Sequence, residues 1–220
     1  MTQDDEIARS CSSKDIPCFG GSENEVLSRY YETAKAYCVD TVVRLTADCP
    51  LVDPAVIDRS IELFENDSLD YVANTVPPET SQFPNGSDVE IFSLQALERA
   101  NREVTSESDR EHVTFYFWKS KQKNSFSSGQ LDNDQDWSKY RFTVDYPEDY
   151  DVVTRIVESL NKKRNIIKDA IAEEDERNPL TDDEMVLVLM RKNAKIARRT
   201  ITKYRKELNI PPASKRKRLY

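Results

Sequence analysis

Charge is divided so unevenly along this chain that it resists a reading as one uniform domain. Residues 191–220 carry twelve Lys and Arg against a single acidic residue, Glu207, for a net of +11. The whole 220-residue chain is −8, which leaves −19 on residues 1–190. A cationic end on an acidic body points to a polyanion-binding module joined to something of different chemistry. The length suits one large domain or a medium domain plus a small one. Ten Tyr, eight Phe and two Trp within 38% hydrophobic content suffice for a core, and 33% charge implies a highly solvated surface.

The four cysteines, Cys11, Cys18, Cys38 and Cys49, form no CxxC pair, and His112 is the single histidine. A zinc site therefore has little to build on, and free thiols in a reducing cytoplasm are expected. No apolar run approaches the ~18 residues of a membrane span, and the acidic start is unlike a signal sequence. The expectation is a soluble cytoplasmic protein with no membrane partner.

Residues 1–162 read as α/β. Thr41–Thr46 is β-branched and apolar enough for a buried strand. It runs into a turn at Ala47–Pro50, after which Asp53 can cap a helix with Pro54 at its first position. Tyr71–Asn74, Val89–Phe92 and Arg141–Val144 read as further strands, Leu94–Glu103 as a helix, and Pro147 opens another reaching Leu160. The polar stretch 120–139 reads as a loop with one weak strand. Alternating strands and helices predict a largely parallel sheet. Asp48 and Asp145 then fall just past the carboxyl ends of strands, where ligands collect in open α/β sheets. Two carboxylates there could hold Mg²⁺ against a phosphate, although Asp at such turns is also a common helix cap.

Five blocks in order carry a family resemblance: Gly21–Tyr31, Val43–Pro54, Pro84–Glu90, Arg110–Thr114 and Thr143–Asp149. Together they resemble the cytidylyltransferases of the spore-coat-polysaccharide and CMP-sugar-synthetase type. The resemblance implies an incomplete Rossmann-like nucleotidyltransferase sheet, CTP and a sugar acid as partners, Mg²⁺ at Asp48 and Asp145, and sugar-side roles for Asp88, Glu90 and His112. Phosphoryl transfer needs in-line positioning and charge neutralisation more than covalent chemistry. Family members begin with a strand and a glycine- and arginine-containing nucleotide loop, and this chain starts downstream of that segment. Ala47 stands where the family often has glycine. The nucleotide site is thus expected to be half-present, the sheet edge open and activity impaired, and an open edge with the family's habits points to a homodimer.

Residues 164–220 read as a small all-α helix-turn-helix domain. Ile166, Ile167, Ala170 and Ile171 mark a first helix, ending before Asn178-Pro179. Thr181-Asp-Asp-Glu184 fits a capping box opening a second, with Met185, Val188 and Leu189 as its apolar face. A third spans roughly Ala197–Leu208. On a helical wheel Ala197, Ile201, Tyr204 and Leu208 share one face, and Arg199, Thr202, Lys203 and Lys206 point away, with Arg198 and Arg205 at the margins. An exposed face of Arg, Lys and Thr suits the major groove of double-stranded DNA, whereas an ordinary solvated helix would mix in more Glu.

Ala197–Lys206, continuing Leu208–Arg218, is similar to the signature box and C-terminus of the sigma-54 (RpoN) class of polymerase factor, and Asn178–Glu184 also fits that domain. Ile201, Thr202 and Lys206 depart modestly from the box. The resemblance implies reading of a GG-containing promoter element, with the matching Arg198, Arg199, Thr200, Lys203 and Arg205 on the DNA; the exposed side of the wheel adds Thr202 and Lys206, and the basic tail adds Lys215 and Arg216. Tyr204 lies on the buried side of the wheel and reads as structural. The glutamine-rich and core-polymerase-binding regions of that class have no counterpart in residues 1–162, so full sigma-factor activity is not expected. Three accounts stay open: a DNA-binding protein with an inherited front, a cytidylyltransferase with a DNA-binding tail, or a fusion of two gene fragments.

Overall fold

The computed structural model describes residues 4–119 and 126–218, in two compact units, Met1–Asp145 and Tyr146–Tyr220. The first unit runs α1 (Asp4–Ser12), α2 (Val26–Ala36), β1 (Thr41–Arg44), α3 (Pro54–Asn66), β2 (Tyr71–Ala73), β3 (Glu90–Ser93), α4 (Leu94–Glu103), α5 (Glu107–His112), α6 (Phe115–Lys119) and β4 (Ser128–Gln130). The weak strand expected within 120–139 is β4, and residues 120–125 of that stretch lie outside the described residues. α3 starts as its sequence predicts, with the Asp53 carboxylate accepting from the Ala55 N–H (3.0 Å) and Pro54 at the first position.

The sheet order is β1-β3-β2-β4. β3 pairs antiparallel with both β1 and β2, while β2 and β4 pair parallel. The largely parallel sheet expected from the element order is therefore a mixed one. β1, β2 and β4 share a direction and β3 runs against them. The connection between β2 and β3, residues 74–89, carries no helix, and antiparallel neighbours need none, whereas a parallel pair is usually joined through a crossover helix. Side chains alternate across the sheet as a period of two requires. Tyr71, Ala73 and Phe92 pack with α2, α4 and α6 on one face, and Val72 and Ile91 with α3 on the other.

Arg141–Val144, expected as a strand, forms among the described residues a single isolated bridge, between Asn85 and Arg141. Its backbone ties loops together instead. The Phe142 N–H donates to the Asn85 carbonyl (2.7 Å) and the Val144 N–H to the Asp48 carbonyl (2.8 Å). Gly86 makes the approach possible: its φ is +93°, and a Cβ there would lie 2.4 Å from the Thr143 nitrogen.

The second unit holds α7 (Pro147–Ala172), α8 (Asp182–Arg191), α9 (Arg198–Glu207) and the short α10 (Ala213–Arg216). The helix expected to close near Leu160 continues to Ala172, so one 26-residue helix replaces two. No Gly or Pro interrupts residues 148–177, and nothing local stops it. The units accordingly divide at Asp145/Tyr146, upstream of the boundary expected at 162–164. The Thr181 capping box is present: its hydroxyl accepts from the Glu184 N–H (3.2 Å) and the Glu184 carboxylate from the Thr181 N–H (2.8 Å). Ile167, Ala170, Met185, Leu189, Ile196, Ile201 and Tyr204 form the core.

Among the described residues, helix ends at Asp15, Cys38, Ser68, Asn193 and Asn209 use a non-glycine residue in the left-handed region, with φ of 50–60°. At Asn193 the Ala194 N–H returns to the Leu189 carbonyl and the Asn193 N–H to that of Met190, a Schellman closure. It turns the chain sharply between α8 and α9.

α9 is oriented by a buried ion pair. Arg205, 6% exposed, donates Nε to Asp182 Oδ1 (3.0 Å), Nη2 to Oδ2 (3.3 Å) and Nη1 to the Ile210 carbonyl (2.8 Å). The Thr202 hydroxyl donates to the same carboxylate (2.7 Å). Partial burial works to raise the Asp182 carboxyl, but the hydrogen bonds from Arg205 and Thr202 outweigh it and hold it below the usual range.

Gly86→Ala should cost more than about 1 kcal/mol of unfolding free energy, because both φ and the neighbouring backbone oppose it; denaturant titration of the full chain measures this. Asp182→Ala strands a buried guanidinium and should cost about 3–5 kcal/mol of second-unit stability. A carboxyl with a depressed folded value stabilises above the unfolded value of ~3.9 and loses that contribution as pH falls through the folded value. Urea titrations should therefore separate wild type from Asp182→Ala at pH 7 and draw them together on acidification below pH 4.

Candidate nucleic-acid interface and candidate carboxylate site

Burial of Ile201 and Tyr204 and the inward turn of Arg205 decide which side of α9 faces solvent. Arg198, Arg199, Lys203 and Lys206 are exposed, and Thr200 is half-buried. Arg198 pairs with the exposed Asp183 (2.9 Å), and Lys203 lies 4.0 Å from Glu207. Among the described residues, Arg199 and Lys206 carry no ion pair. Exposed pairs of the Arg198–Asp183 kind are weak and exchange readily for a phosphate.

Three expected DNA-contacting residues are turned elsewhere. Arg205 is interior, Thr202 is hydrogen-bonded to Asp182, and Arg216 is held by Glu174 through two hydrogen bonds of 2.6 and 2.8 Å. A wheel drawn on hydrophobicity cannot place an arginine whose carboxylate partner lies on another element. Lys215 is exposed as expected, and so are Lys195 and Lys217, which the box resemblance did not single out.

In the first unit, the carboxyl ends of β1, β2 and β4 and the amino end of β3 lie along one edge, in the register Arg44–Glu90–Ala73–Gln130. Past that edge come the loops bearing Asp48 and Asp88, and the Arg141–Asp145 segment is hydrogen-bonded to both. Asp88 accepts from the Thr75 hydroxyl (2.6 Å) and the Gly86 N–H (2.9 Å). Cys49 Sγ lies 3.5 Å from Asp88 Oδ2 and 3.8 Å from Asp48 Oδ1, so the three side chains form one cluster. Burial pushes the Cys49 thiol up to about 11; the Thr46 hydroxyl pulls the other way, and Asp88 and Asp48 reinforce the rise. The thiol is therefore neutral at pH 7 and a poor nucleophile. The fold brings Asp145 to the same loops, where it pairs with Arg141 and accepts from the Thr143 hydroxyl (3.0 Å). Among the described residues, neither this group nor any other three His, Cys, Asp or Glu side chains are arranged to hold a metal ion by themselves.

Glu90 and His112 do not join this cluster. Glu90 is 5% exposed, ion-paired with Arg44 and hydrogen-bonded by the Tyr71 hydroxyl (2.6 Å), so its sugar-side expectation gives way to an internal role. Burial first, and then Glu90, drives the Tyr71 phenol well above its ordinary value. His112 is exposed, its ring stacked on Phe115 with centroids 4.4 Å apart. Val113, which follows it, is β-branched with φ of 56° and ψ of −59°. The Thr114 N–H donates to the His112 carbonyl across it, closing a γ-turn of the strained class.

Two family models match this chain: Cytidylyltransferase over residues 2–177 and the Sigma-54 DNA binding domain over residues 151–218. Uncharacterized protein MJ1063 of Methanocaldococcus jannaschii is 35% identical over 116 residues, 53% of this chain and 45% of that protein. The spore coat polysaccharide biosynthesis protein SpsF of Bacillus subtilis is 26% identical, covering 80% of this chain and 71% of its own length. The RNA polymerase sigma-54 factor of Shewanella violacea is 46% identical over 56 residues, 26% of this chain and 11% of the factor. A solved cytidylyltransferase from Leptospira borgpetersenii aligns with a TM-score of 0.63 at 28% identity, over 88% of this chain and 74% of that one. Thus the chain spans under half of its archaeal relative and a small fraction of a sigma-54 factor. No helix among the described residues is long and apolar enough to cross a membrane. The chain belongs to the cytidylyltransferase family and joins to it, with residues 151–177 matched by both models, a region similar to the DNA-binding domain of sigma-54 factors.

Proposed function

We propose that this chain binds double-stranded DNA sequence-specifically at GG-containing elements of the sigma-54 type, through α9 in the major groove and without full sigma-factor activity. The observation that carries the reading is the exposed Arg198, Arg199, Lys203 and Lys206 on a helix whose opposite side is locked into a core. Arg199, on the first turn of α9, has the reach and the fork geometry for guanine O6 and N7. The lysines serve as phosphate contacts, which set register and affinity.

Fluorescence anisotropy of labelled GG-containing and scrambled duplexes across a salt series tests this. Tighter binding to the GG duplex at every salt is expected, and equal, steeply salt-dependent binding to both would reduce the interaction to phosphate attraction. Arg199→Ala should cost about 1–3 kcal/mol on the GG duplex and much less on the scrambled one.

A second reading rests on the carboxylates gathered past the sheet edge: CTP-dependent transfer of CMP to a sugar acid, with release of pyrophosphate. Asp48 and Asp145 are hard oxygen donors of the kind Mg²⁺ prefers, and the Val144 N–H joins their two segments. The donor chemistry fits, with substrate oxygens completing the shell, and the ion would neutralise phosphate charge as the bond to pyrophosphate breaks. Asp88, fixed by Thr75 and Gly86, is the candidate on the sugar side. Pyrophosphate release dependent on both CTP and Mg²⁺, and lost in Asp48→Ala, is the expected outcome; no turnover by the wild-type chain removes this reading.

A further inference from the structure

Four consecutive acids, Glu173–Glu176, follow α7 and receive the cationic end of the chain. Glu174 takes both arms of Arg216, and Glu176 pairs with Arg218 (3.1 Å) while its carbonyl accepts the Arg218 N–H (2.8 Å). Only the first pair is interior, with the side chains of Arg216 and Glu174 9% and 6% exposed. Arg216 also donates to the carbonyls of Leu180 (2.9 Å) and Pro211, and the Leu180 N–H donates to Glu174 (2.8 Å). The tail thus alternates. Arg216 and Arg218 are turned onto the acids, while Lys215 and Lys217 are exposed and, among the described residues, carry no ion pair.

We infer that Glu174 is a positioning residue for DNA engagement. It fastens the tail through Arg216 so that Lys215 and Lys217 meet phosphates in fixed register with the basic side of α9. This rests on the DNA-binding reading above. Phosphate contacts carry no base information but set where a recognition helix sits, and a loose cationic tail supplies affinity without register. Simple electrostatics predicts the opposite of positioning. Glu174 is an anion in a module that binds anions, so its removal adds net positive charge and by charge alone tightens binding to every duplex.

The test uses the full chain and the same two duplexes, comparing wild type with Glu174→Ala and with the double variant Lys215→Ala/Lys217→Ala. Glu174→Ala should lower the ratio of GG to scrambled affinity by about tenfold, with scrambled binding unchanged or tighter. The double variant should lower the same ratio and reduce the salt slope by about 2. Equal change on both duplexes, in either variant, overturns the inference. If Glu174→Ala loses its helical circular dichroism, the double variant, altered only at exposed positions, decides alone. A wild-type chain that fails to discriminate removes the DNA reading itself. A wild-type chain that discriminates, beside variants with an unchanged ratio, removes only the role of Glu174.

Discussion

A guanidinium cannot shed its proton in a protein, so an arginine in the interior must find a carboxylate there or the segment that carries it will not close. Both units of this chain depend on that constraint. Arg44 meets Glu90 beneath the sheet edge, Arg205 meets Asp182 between α8 and α9, and Arg216 meets Glu174 behind the tail. Burial opposes the charge on Arg44, yet Glu90 and the neighbouring tyrosines more than offset it and strengthen its hold on the proton. Pairs of this kind add little net stability over well-packed apolar groups, but losing one partner is severe. They act as registration devices, fixing which way α9 turns and where the tail lies.

The consequence for function is a subtraction. The basic end has twelve cations in sequence, but Arg205 and Arg216 are internal. What remains outward on α9 is a short row, with Arg199 on the first turn and lysines beyond it. A similar subtraction operates at the sheet edge, where Glu90 is withdrawn into the core and Asp48, Asp88 and Cys49 are left together.

Features whose partners lie within a few residues were legible from the chain. Asp53 with Pro54 and Thr181 with Glu184 are examples, as are the apolar stretches that became β1, β2 and β3, although β1, expected to be buried, is an edge strand with Thr41 and Val43 exposed. Features set by distant partners were not. Glu90 looks like a site acid until Arg44, 46 residues away, is seen beside it, and Arg205 looks like a DNA contact until Asp182, 23 residues away, is seen to hold it. The helix-free return before β3 is visible locally in Pro77, Pro78 and Pro84, whereas the failure of Arg141–Val144 to join the sheet follows from two loops claiming its backbone and leaves no local trace. The approach of Asp48 to the Asp145 segment was legible both from the expected strand ends, although Arg141–Val144 forms no strand, and from family resemblance. Residues 151–172 of α7 are matched by both family models, and no Gly- or Ser-rich linker separates the two matches.

The helix ends carry a different lesson. With four glycines in 220 residues, the chain closes helices on Asp15, Cys38, Ser68, Asn193 and Asn209 in a backbone conformation that L-residues adopt at a penalty of about 1–2 kcal/mol. Asn and Asp soften that penalty through local hydrogen bonding, whereas Cys38 and Ser68 have less means to do so. Both are solvent-exposed, so a glycine at either would relax the turn without disturbing a core. Such unclaimed reserve is what a protein resting just above its stability threshold is expected to hold, and here it lies at the margins of helices rather than within the packing.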